Sequence, residues 1–433
     1  MGRFSTVVFL ISCSFISFAQ DNRIDTVRPD APELASFGDY DIGVRTLEFV
    51  DSDRIDILNT DRGGENAIYD RSLMVEIWYP AELATGQEPG GEYQAITRNP
   101  AITATLAGTA VRDAEPSSAN ARYPLVIISH GYPGNRFLIS HLGENLASKG
   151  YVVASIDHTD STYDDQQAFQ STLYNRPLDQ RFVLDTLDNL SNDSGSFLNG
   201  LLDAQTTGIV GYSMGGYGLV NNLGGGYSDD IVGSLMAPPN ELLHQHATGN
   251  PDYRSNLDPR IKVGFAIAPW GMASGFWRLE DLAGIDVPTF YLAGDNDTVA
   301  GYETGVRAIF EGAVNSDRYL LTYKNAGHNA GAPYPVPVEL LNAEDTTGAS
   351  HYTDPVWDNT RMNNIMDHFA TVYFDHYLKQ IEGRESYLDV IPDGADAVYS
   401  VTRGQHRDDH TYWKGFGPNT AIGLKLERRQ PGE

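Results

Sequence analysis

Thr207-Gly-Ile-Val-Gly-Tyr-Ser-Met-Gly-Gly216 is a short apolar run that leads into Gly-x-Ser-x-Gly, with Ser213 at its centre. This pattern predicts a strand that turns sharply into a helix, so that the serine is strained and its hydroxyl is exposed above a sheet. Gly211 and Gly215 fit such a turn because side chains at those positions would collide. The motif alone is common by chance, so its meaning depends on the rest of the chain.

A second apolar run lies upstream and ends in a glycine-rich loop. Tyr123-Pro-Leu-Val-Ile-Ile-Ser-His-Gly-Tyr-Pro-Gly134 predicts a buried strand over 125–129 followed by that loop. A loop at such a strand end can offer a backbone N–H to a developing oxyanion, and the residue after the nucleophile can offer another. Tyr132 and Met214 are the candidate donors, since Pro133 has no N–H. The alternative is an ordinary glycine-rich turn.

Two further strand ends carry an acid and a histidine. Val287-Pro-Thr-Phe-Tyr-Leu-Ala-Gly-Asp-Asn-Asp297 ends in acidic residues, and Arg318-Tyr-Leu-Leu-Thr-Tyr-Lys-Asn-Ala-Gly-His328 ends in a loop histidine. Ser213, Asp297 and His328 follow the chain order nucleophile, acid, base of the α/β-hydrolase arrangement. In that chemistry an imidazole takes the serine proton and a carboxylate holds the imidazole in the required tautomer. The alternative for His328 is a turn histidine at a strand end.

Two aspartates compete for the position of the acid. Asp297 is preferred because it lies three residues past Gly294 and can curl back over the strand end. Asp295 is expected to cap the turn, since short Asp side chains commonly bond nearby backbone amides. The sequence favours Asp297 and leaves Asp295 open.

Trp270 is a candidate wall of a substrate site, because it follows the apolar run 263–268. The alternative is that it only covers the edge of the sheet. No cofactor and no metal site are predicted. His244 and His246 are the nearest approach to a metal-binding pair, but a metal site needs further ligands.

Four motifs taken together resemble the dienelactone-hydrolase-like and platelet-activating-factor acetylhydrolase-like branch of the α/β-hydrolase superfamily: Gly-Tyr-Ser-Met-Gly-Gly216, His130-Gly-Tyr-Pro-Gly, Gly294-Asp-Asn-Asp-Thr-Val-Ala and Ala326-Gly-His. The Asp297-Thr-Val-Ala segment is also similar to the acid loop of cutinase-like polyester hydrolases. The resemblance covers roughly residues 40–383. It implies a secreted or periplasmic carboxylic-ester hydrolase with Ser213, Asp297 and His328 in the triad positions.

The chain departs from the family pattern in two ways. True dienelactone hydrolases use a cysteine nucleophile, and the serine here argues against dienelactone as the substrate. Many cutinase-like enzymes carry a disulfide, whereas this sequence has a single cysteine, Cys13.

Residues 1–19 are typical of a secretory signal peptide. Arg3 supplies the positive charge, residues 7–18 are largely apolar, and Ser17-Phe-Ala19 is a small-x-small cleavage site. The apolar run is too short to span a bilayer as a helix. A secreted or periplasmic location is therefore predicted. The alternative is a lipid anchor on Cys13, because Leu10-Ile-Ser-Cys13 resembles a lipoprotein box.

The net charge of −28 argues against nucleic acid as a partner and against anionic membrane surfaces. No stable membrane insertion is predicted, and the sequence gives no indication of the oligomeric state. The expected partner is an ester substrate, either a small molecule or a polymer.

Apolar runs between helix-like segments predict an α/β fold, with a mostly parallel sheet and helices on both faces. These runs are 125–129, 151–156, 207–210, 263–268, 289–293 and 319–322. A loosely ordered leader is expected at 20–39, the α/β-hydrolase domain at 40–383, and a C-terminal extension packing on it at 384–433. Segments near 159–204 and 227–259 are predicted to be cap-like insertions, since long connections in compact domains are usually functional.

The leading hypothesis for function is a serine carboxylic-ester hydrolase that works through an acyl-enzyme on neutral, short-acyl esters. A cutinase-like polyester depolymerase is the second reading. The third is a catalytically inactive α/β-hydrolase fold used for binding.

Overall fold

The computed structural model describes residues 22–118 and 122–433 of the chain. The predicted signal peptide and the alternative lipid anchor at Cys13 lie outside the described residues. In the described ranges, no helix combines the length and the apolar character that crossing a bilayer requires.

The strands are numbered in chain order: β1 Asn22–Arg23, β2 Asp41–Ile55, β3 Ile68–Glu82, β4 Gly91–Ile96, β5 Thr103–Gly108, β6 Val111–Arg112, β7 Glu115–Pro116, β8 Tyr123–Ser129, β9 Val152–Asp157, β10 Leu202–Tyr212, β11 Ile261–Ile267, β12 Thr289–Gly294, β13 Arg318–Tyr323, β14 Val401–Thr402, β15 Gln405–His406 and β16 Leu424–Arg429. The α-helices are α1 Ser140–Ala147, α2 Phe169–Asn192, α3 Met214–Asn222, α4 Asp229–Val232, α5 Arg307–Gly312, α6 Val338–Leu341 and α7 Asn359–Tyr377. Short 3₁₀ segments lie at Glu33–Ala35, Ile57–Asn59, Pro239–His246, Arg254–Asn256, Met272–Ser274, Leu279–Gly284, Thr347–Tyr352 and Arg384–Tyr387, and a π turn at Tyr302–Val306.

A large mixed sheet has the strand order β16-β13-β12-β11-β10-β8-β9-β3-β2-β6, with β7 beside β3. Its six central strands, from β13 to β9, run parallel to one another. At the two ends, β16 pairs antiparallel with β13, and β3 pairs antiparallel with β9. Every residue of β8 is buried, as expected for a strand that is covered on both faces. The mostly parallel sheet predicted from the sequence is confirmed.

Helices cover both faces of this sheet and create two hydrophobic cores. Side chains alternate along a strand, so Val126 and Ile128 of β8 enter one core while Leu125 and Ile127 enter the other. Helices α1 and α7 close the first core, and α2, α3 and α5 close the second. The parallel strands thereby direct their carboxyl ends to one edge, where loops can carry functional groups.

Residues 22–39 differ from the loosely ordered leader that the sequence suggested. Strand β1 pairs parallel with β5, and Ile24 and Ala35 are buried. The Leu34 backbone N–H donates to Nδ1 of His368 in α7 at 3.2 Å. Leu34 and Phe37 pack partly buried against the core that α1 and α7 close, which composition alone does not reveal.

The segments predicted to be caps lie instead against the helix layer. Helix α2 occupies most of 159–204 and packs against α3 and β10. In the segment 227–259, the Tyr227 ring stacks on Tyr217 of α3 with 5.0 Å between ring centroids. The length of the connection 159–204 predicted a cap, but the polar side chains of α2, namely Asn175, Arg176, Asp179 and Gln180, are buried in hydrogen-bond networks.

The C-terminal residues lie against the sheet and α7. Strand β16 adds to the sheet next to β13. The rings of Trp413 and Phe416 contact Phe369 of α7, with centroids 6.0 and 5.8 Å away.

Burial makes this fold sensitive to acid. It lowers the pKa of five histidines below the ordinary value, namely His130, His158, His246, His351 and His368. Glu144 has the opposite effect on the pH dependence of stability. Burial raises the pKa of its carboxyl to about 7, so the folded protein holds a proton that the unfolded chain releases. A histidine that stays neutral in the folded protein but takes a proton in the unfolded chain makes the protein less stable as the pH falls.

His246 offers a test of this effect, because its side chain is 3% exposed and burial lowers its pKa to about 3. Below the ordinary histidine pKa of about 6.5, the unfolded chain binds a proton that the folded protein does not. The contribution of His246 to the free energy of unfolding is therefore fully present above about pH 6.5. Between that pH and about pH 3 it decreases by up to about 1.4 kcal/mol per pH unit. We expect His246→Gln to flatten the pH dependence of the free energy of unfolding, measured by denaturant titration between pH 5 and 7. An unchanged slope in His246→Gln would contradict the expectation.

Candidate active site

Ser213 lies at the turn between β10 and α3, in a backbone conformation with φ 52° and ψ −109°. A non-glycine residue in such a conformation costs on the order of 1–3 kcal/mol and persists only when its surroundings fix it. Here the Ser213 N–H donates to the Ile267 carbonyl at 2.9 Å, and the Ser213 carbonyl accepts from the Trp270 N–H at 3.1 Å. Strand β11 and the residues after it therefore hold the turn in place.

Glycine is required on both sides of this serine. A Cβ at Gly215 would stand 1.9 Å from the Ser129 carbonyl oxygen, and a Cβ at Gly211 would stand 2.4 Å from the Gly215 carbonyl oxygen. Both atoms belong to backbone, which cannot move aside as a flexible side chain can. The predicted reason for Gly-x-Ser-x-Gly is thus visible in the packing.

The structure brings Ser213, His328 and Asp297 together from three different strand ends. Nε2 of His328 lies 3.0 Å from Oγ of Ser213, and Nδ1 of His328 lies 2.8 Å from Oδ2 of Asp297. The other carboxylate oxygen of Asp297 accepts the backbone N–H groups of Val299 and Ala300 at 2.8 and 3.0 Å. The Asp297 side chain is fully buried, while that of His328 is 14% exposed. This arrangement can pass a proton from the serine hydroxyl to a fixed imidazole.

Asp295 takes no part in this hydrogen-bond chain. It is exposed, and its carboxylate accepts the Asn325 backbone N–H at 2.5 Å. That bond ties the loop after β12 to the loop after β13. The geometry therefore joins His328 to Asp297, the aspartate that the sequence favoured.

Tyr132 and Met214, the two candidate oxyanion donors, both lie next to Ser213. Tyr132 lines the same cleft as Ser213, and Met214 is the first residue of α3. The first N–H groups of a helix have no acceptor within the helix. Among the described residues, neither the Tyr132 nor the Met214 backbone N–H has a protein acceptor. Both remain available for a ligand oxygen.

A cleft of about 670 Å³ opens over Ser213 and His328. Its size falls in the ordinary range for small-molecule sites, roughly 300–1,000 Å³. Residues 98–100, in the loop after β4, and several residues of 345–351 form its outer walls. The predicted caps do not line it. The wall residues, Arg98 and His351 among them, were missed because their distance from the motifs along the chain gives no signal.

Trp270 lies beside the nucleophile through its backbone, but its ring is not part of the cleft lining. The ring packs on Phe169 and Phe276, with centroids 5.3 and 5.4 Å apart. Phe169 in turn contacts the Tyr132 ring at 5.0 Å. Trp270 therefore supports the wall behind Tyr132, and its contact with a substrate stays a prediction.

A second Ser-His-Asp arrangement lies beneath the first and was not recognised from the sequence. Nε2 of His158 is 2.8 Å from Oγ of Ser129, and Nδ1 of His158 is 2.9 Å from Asp179. All three side chains are buried, and Arg71 also binds Asp179. Burial lowers the pKa of His158 to about 3. Without access for a substrate, this group is structural.

Comparisons with known proteins agree with this architecture. Residues 93–224 match the model of a PET hydrolase-like family. That segment contains Tyr132, Ser213 and Met214 but ends before Asp297 and His328. The chain is 28% identical to a cutinase of Thermobifida alba over 214 residues, and 24% identical to a bis(hydroxyethyl) terephthalate hydrolase of Streptomyces coelicolor over 213 residues.

These alignments cover about half of the proteins involved. Each spans 49% of this chain, with 55% of the cutinase and 52% of the terephthalate ester hydrolase. The solved structure of a ferulic acid esterase from Streptomyces cinnamoneus is similar over 79% of this chain and 91% of its own, with a TM-score of 0.52 and 21% identity. At that identity the likeness establishes the fold. With the sheet order and the nucleophile turn, these findings show that the chain has the α/β-hydrolase fold and that its residues 93–224 are similar to the PET hydrolase-like family.

Proposed function

We propose that this protein is a serine carboxylic-ester hydrolase that works through an acyl-enzyme. The observation that carries the proposal is the continuous hydrogen-bond chain from Ser213 through His328 to Asp297 at the floor of an open cleft. A serine hydroxyl is a weak nucleophile until an adjacent base takes its proton. The 3.0 Å distance from Nε2 of His328 to Oγ of Ser213 supports His328 as that base.

In the first half of the reaction, Oγ of Ser213 attacks the ester carbonyl carbon while Nε2 of His328 takes the hydroxyl proton. The carbonyl oxygen becomes an alkoxide, which the backbone N–H groups of Tyr132 and Met214 stabilise. Asp297 holds the Nδ1 proton of His328 and stabilises the imidazolium. When the intermediate collapses, the alcohol leaves with the proton from His328.

In the second half, water replaces the alcohol. His328 takes a proton from the water as it attacks the acyl-enzyme, and the same two N–H groups receive the second alkoxide. Collapse of this intermediate returns the proton to Ser213 and releases the carboxylic acid. No cofactor enters this scheme.

Neutral esters with a short acyl group are the proposed substrates. The net charge of −28 disfavours the approach of anionic esters. Polar loop residues such as Asn99, Thr347 and Ser350 form part of the cleft lining, which suits a short acyl group better than a long one. The signal peptide proposed at residues 1–19 would place the enzyme outside the cytoplasm, where polymeric esters are also met.

A polyester depolymerase is the second candidate. It is supported by the PET hydrolase-like match over residues 93–224 and by relatives named as cutinases and as a terephthalate ester hydrolase. Exposed residues such as Arg98, Pro100 and Thr347 line the cleft, so a polymer chain could reach it from solvent.

Activity against p-nitrophenyl esters from acetate to palmitate tests the proposed substrate class. We expect kcat/KM to be highest on the short acyl esters, because polar residues such as Asn99, Thr347 and Ser350 form part of the cleft lining and gain nothing from burying a long acyl chain. In parallel, the turbidity of a polyester nanoparticle suspension is followed over time. The Ser213→Ala variant gives the background rate.

Two results would change the assignment. The highest kcat/KM on palmitate, with activation at an oil–water interface, would indicate a lipase and contradict the short-acyl proposal. Clearing of the suspension by the wild type but not by the Ser213→Ala variant would make polyester the first candidate.

A further inference from the structure

Helix α2 does not line the cleft, but its buried Arg176 hydrogen-bonds to the loop that carries Tyr132, a proposed oxyanion donor. The Arg176 side chain is 1% exposed. One terminal nitrogen donates to the His130 carbonyl, and the other donates to Oγ of Ser161 at 2.6 Å. Both terminal nitrogens also reach the Gly131 carbonyl oxygen, at 3.5 and 3.4 Å.

The His130 ring also hydrogen-bonds to the Gly131 carbonyl oxygen. Its Nδ1 lies 2.7 Å from the Gly131 oxygen, and its Nε2 accepts the His158 backbone N–H at 3.2 Å. Because Nε2 is the acceptor, the ring proton is on Nδ1 and is donated to the Gly131 carbonyl. Burial lowers the pKa of His130, which keeps the ring in this neutral form.

The Gly131 carbonyl and the Tyr132 N–H belong to one peptide group. Donors that bind the oxygen of an amide withdraw electron density from its nitrogen, so the N–H becomes a stronger donor. The buried guanidinium adds positive potential near the place where the alkoxide would form, in surroundings where charges interact more strongly than in water. Arg176 and His130 can therefore strengthen a hydrogen bond that neither residue makes itself.

The other proposed donor has a matching arrangement. The Ser213 carbonyl shares its peptide group with the Met214 N–H, and it accepts the backbone N–H groups of Tyr217 at 3.0 Å and Trp270 at 3.1 Å. Both peptide groups of the proposed oxyanion hole are thus bonded at their oxygen by two or more donors.

Arg176 is not explained as half of an ion pair. The nearby carboxylate Asp179 binds Arg54 and Arg71, and within the described ranges no carboxylate lies within salt-bridge distance of Arg176. Burial lowers the pKa of Arg176 to about 9, which reflects the cost of holding this charge away from water. A buried charge without a close counter-ion destabilises the folded protein, so the presence of Arg176 here needs another explanation.

Helix α2 is fixed firmly enough to position this side chain. Pro177 has no N–H, so the Leu173 carbonyl is left without its helical partner, and the Tyr217 hydroxyl of α3 donates to it at 3.1 Å. One turn on, Gln180 donates to the Gly215 carbonyl at 2.9 Å. The helix is therefore tied to the nucleophile turn as well as to the oxyanion loop.

We propose that Arg176, together with His130, is a positioning residue that holds and polarises the Gly131–Tyr132 peptide for binding of the oxyanion. The proposal rests on the proposed ester hydrolysis at Ser213. It predicts that Arg176 acts on the transition state and leaves binding of the ester itself nearly unchanged.

The test compares Arg176→Met, which keeps the length of the side chain without its charge, with Arg176→Lys, which keeps a cation. We expect Arg176→Met to lower kcat on p-nitrophenyl acetate by about 10- to 100-fold with little change in KM, less than the loss of a whole oxyanion donor. A trifluoromethyl ketone, which forms an anionic adduct with the serine, should bind more weakly by a similar factor. The corresponding methyl ketone should bind as before, and Arg176→Lys should recover a large part of kcat.

Asn222→Ala is the matched control. Asn222 is buried and donates from α3 to the Pro177 carbonyl and to Gln180 of α2, so its loss also weakens the contact of these helices. It does not touch the Gly131 carbonyl, and we expect kcat and the affinity for the trifluoromethyl ketone to stay near the wild-type values. An equal loss in Asn222→Ala and Arg176→Met would reduce Arg176 to a packing role and overturn the proposal.

Ser161→Ala decides the question if Arg176→Met does not fold, since it removes one anchor of the guanidinium and keeps the charge. A selective loss of kcat and of trifluoromethyl ketone affinity supports the proposal, and wild-type values for both overturn it. A wild-type protein that neither hydrolyses esters nor reacts with a fluorophosphonate would instead overturn the proposed function. An active wild type with an equally active Arg176→Met variant would overturn the role of Arg176 alone.

Discussion

Ser213→Ala and His328→Ala should each lower kcat for ester hydrolysis by about 10⁴-fold or more, because members of a triad act as a unit. Without Oγ of Ser213 no acyl-enzyme can form. Without the imidazole of His328, 3.0 Å from that oxygen, the hydroxyl proton has no acceptor. The measurement is steady-state turnover of p-nitrophenyl acetate by purified variants whose unfolding midpoints match the wild type.

Ser129→Ala supplies the control for this experiment. Ser129 belongs to the buried Ser129-His158-Asp179 group, so its hydroxyl also binds a histidine but cannot meet a substrate. We expect Ser129→Ala to keep turnover, and a fluorophosphonate to label wild-type Ser213 but not the Ser213→Ala protein. Near-normal turnover in folded Ser213→Ala would reject the assignment. A wild type that stays unlabelled and inactive would favour the alternative of an inactive fold used for binding.

The parts of the fold that the sequence predicted are those that local chemistry determines. The turn around Ser213 needs glycine at 211 and 215 because backbone oxygens lie within 2.4 Å of any Cβ there. The parallel strands are recognisable because burial on both faces makes them continuous apolar runs, as in β8. Each of these two features can be recognised from a window of about ten consecutive residues.

The parts that could not be predicted depend on contacts between distant residues. Helix α2 lies in the segment predicted to be a cap from its length, but it packs in the helix layer because Arg176 and Asp179 have buried partners far along the chain. The cleft walls at 98–100 and 345–351 meet only through the fold. The segment 22–39 packs on the domain through β1 and through buried side chains such as Ala35. These few residues do not stand out in the overall polar composition of the segment.

Asp297→Asn should lower kcat by about 10⁴-fold, whereas Asp295→Asn should have little effect. Oδ1 of Asp297 accepts two backbone N–H groups, from Val299 and Ala300, so the asparagine oxygen would occupy that place. Its NH₂ group would then face Nδ1 of His328, which lies 2.8 Å from Oδ2 in the wild type. A donor at that position forces the ring proton onto Nε2, and Nε2 can no longer accept the proton of Ser213.

Asp295→Asn is a matched change because it neutralises an aspartate two residues away in the same loop. The asparagine oxygen can still accept the Asn325 N–H, which is the contact that the carboxylate makes now. The two variants therefore separate the loss of a nearby negative charge from the loss of the required tautomer. If both variants lost activity equally, the general field of the loop would be the cause. A larger loss in Asp295→Asn than in Asp297→Asn would show that the acid was wrongly assigned, since the hydrogen-bond chain predicts the reverse order.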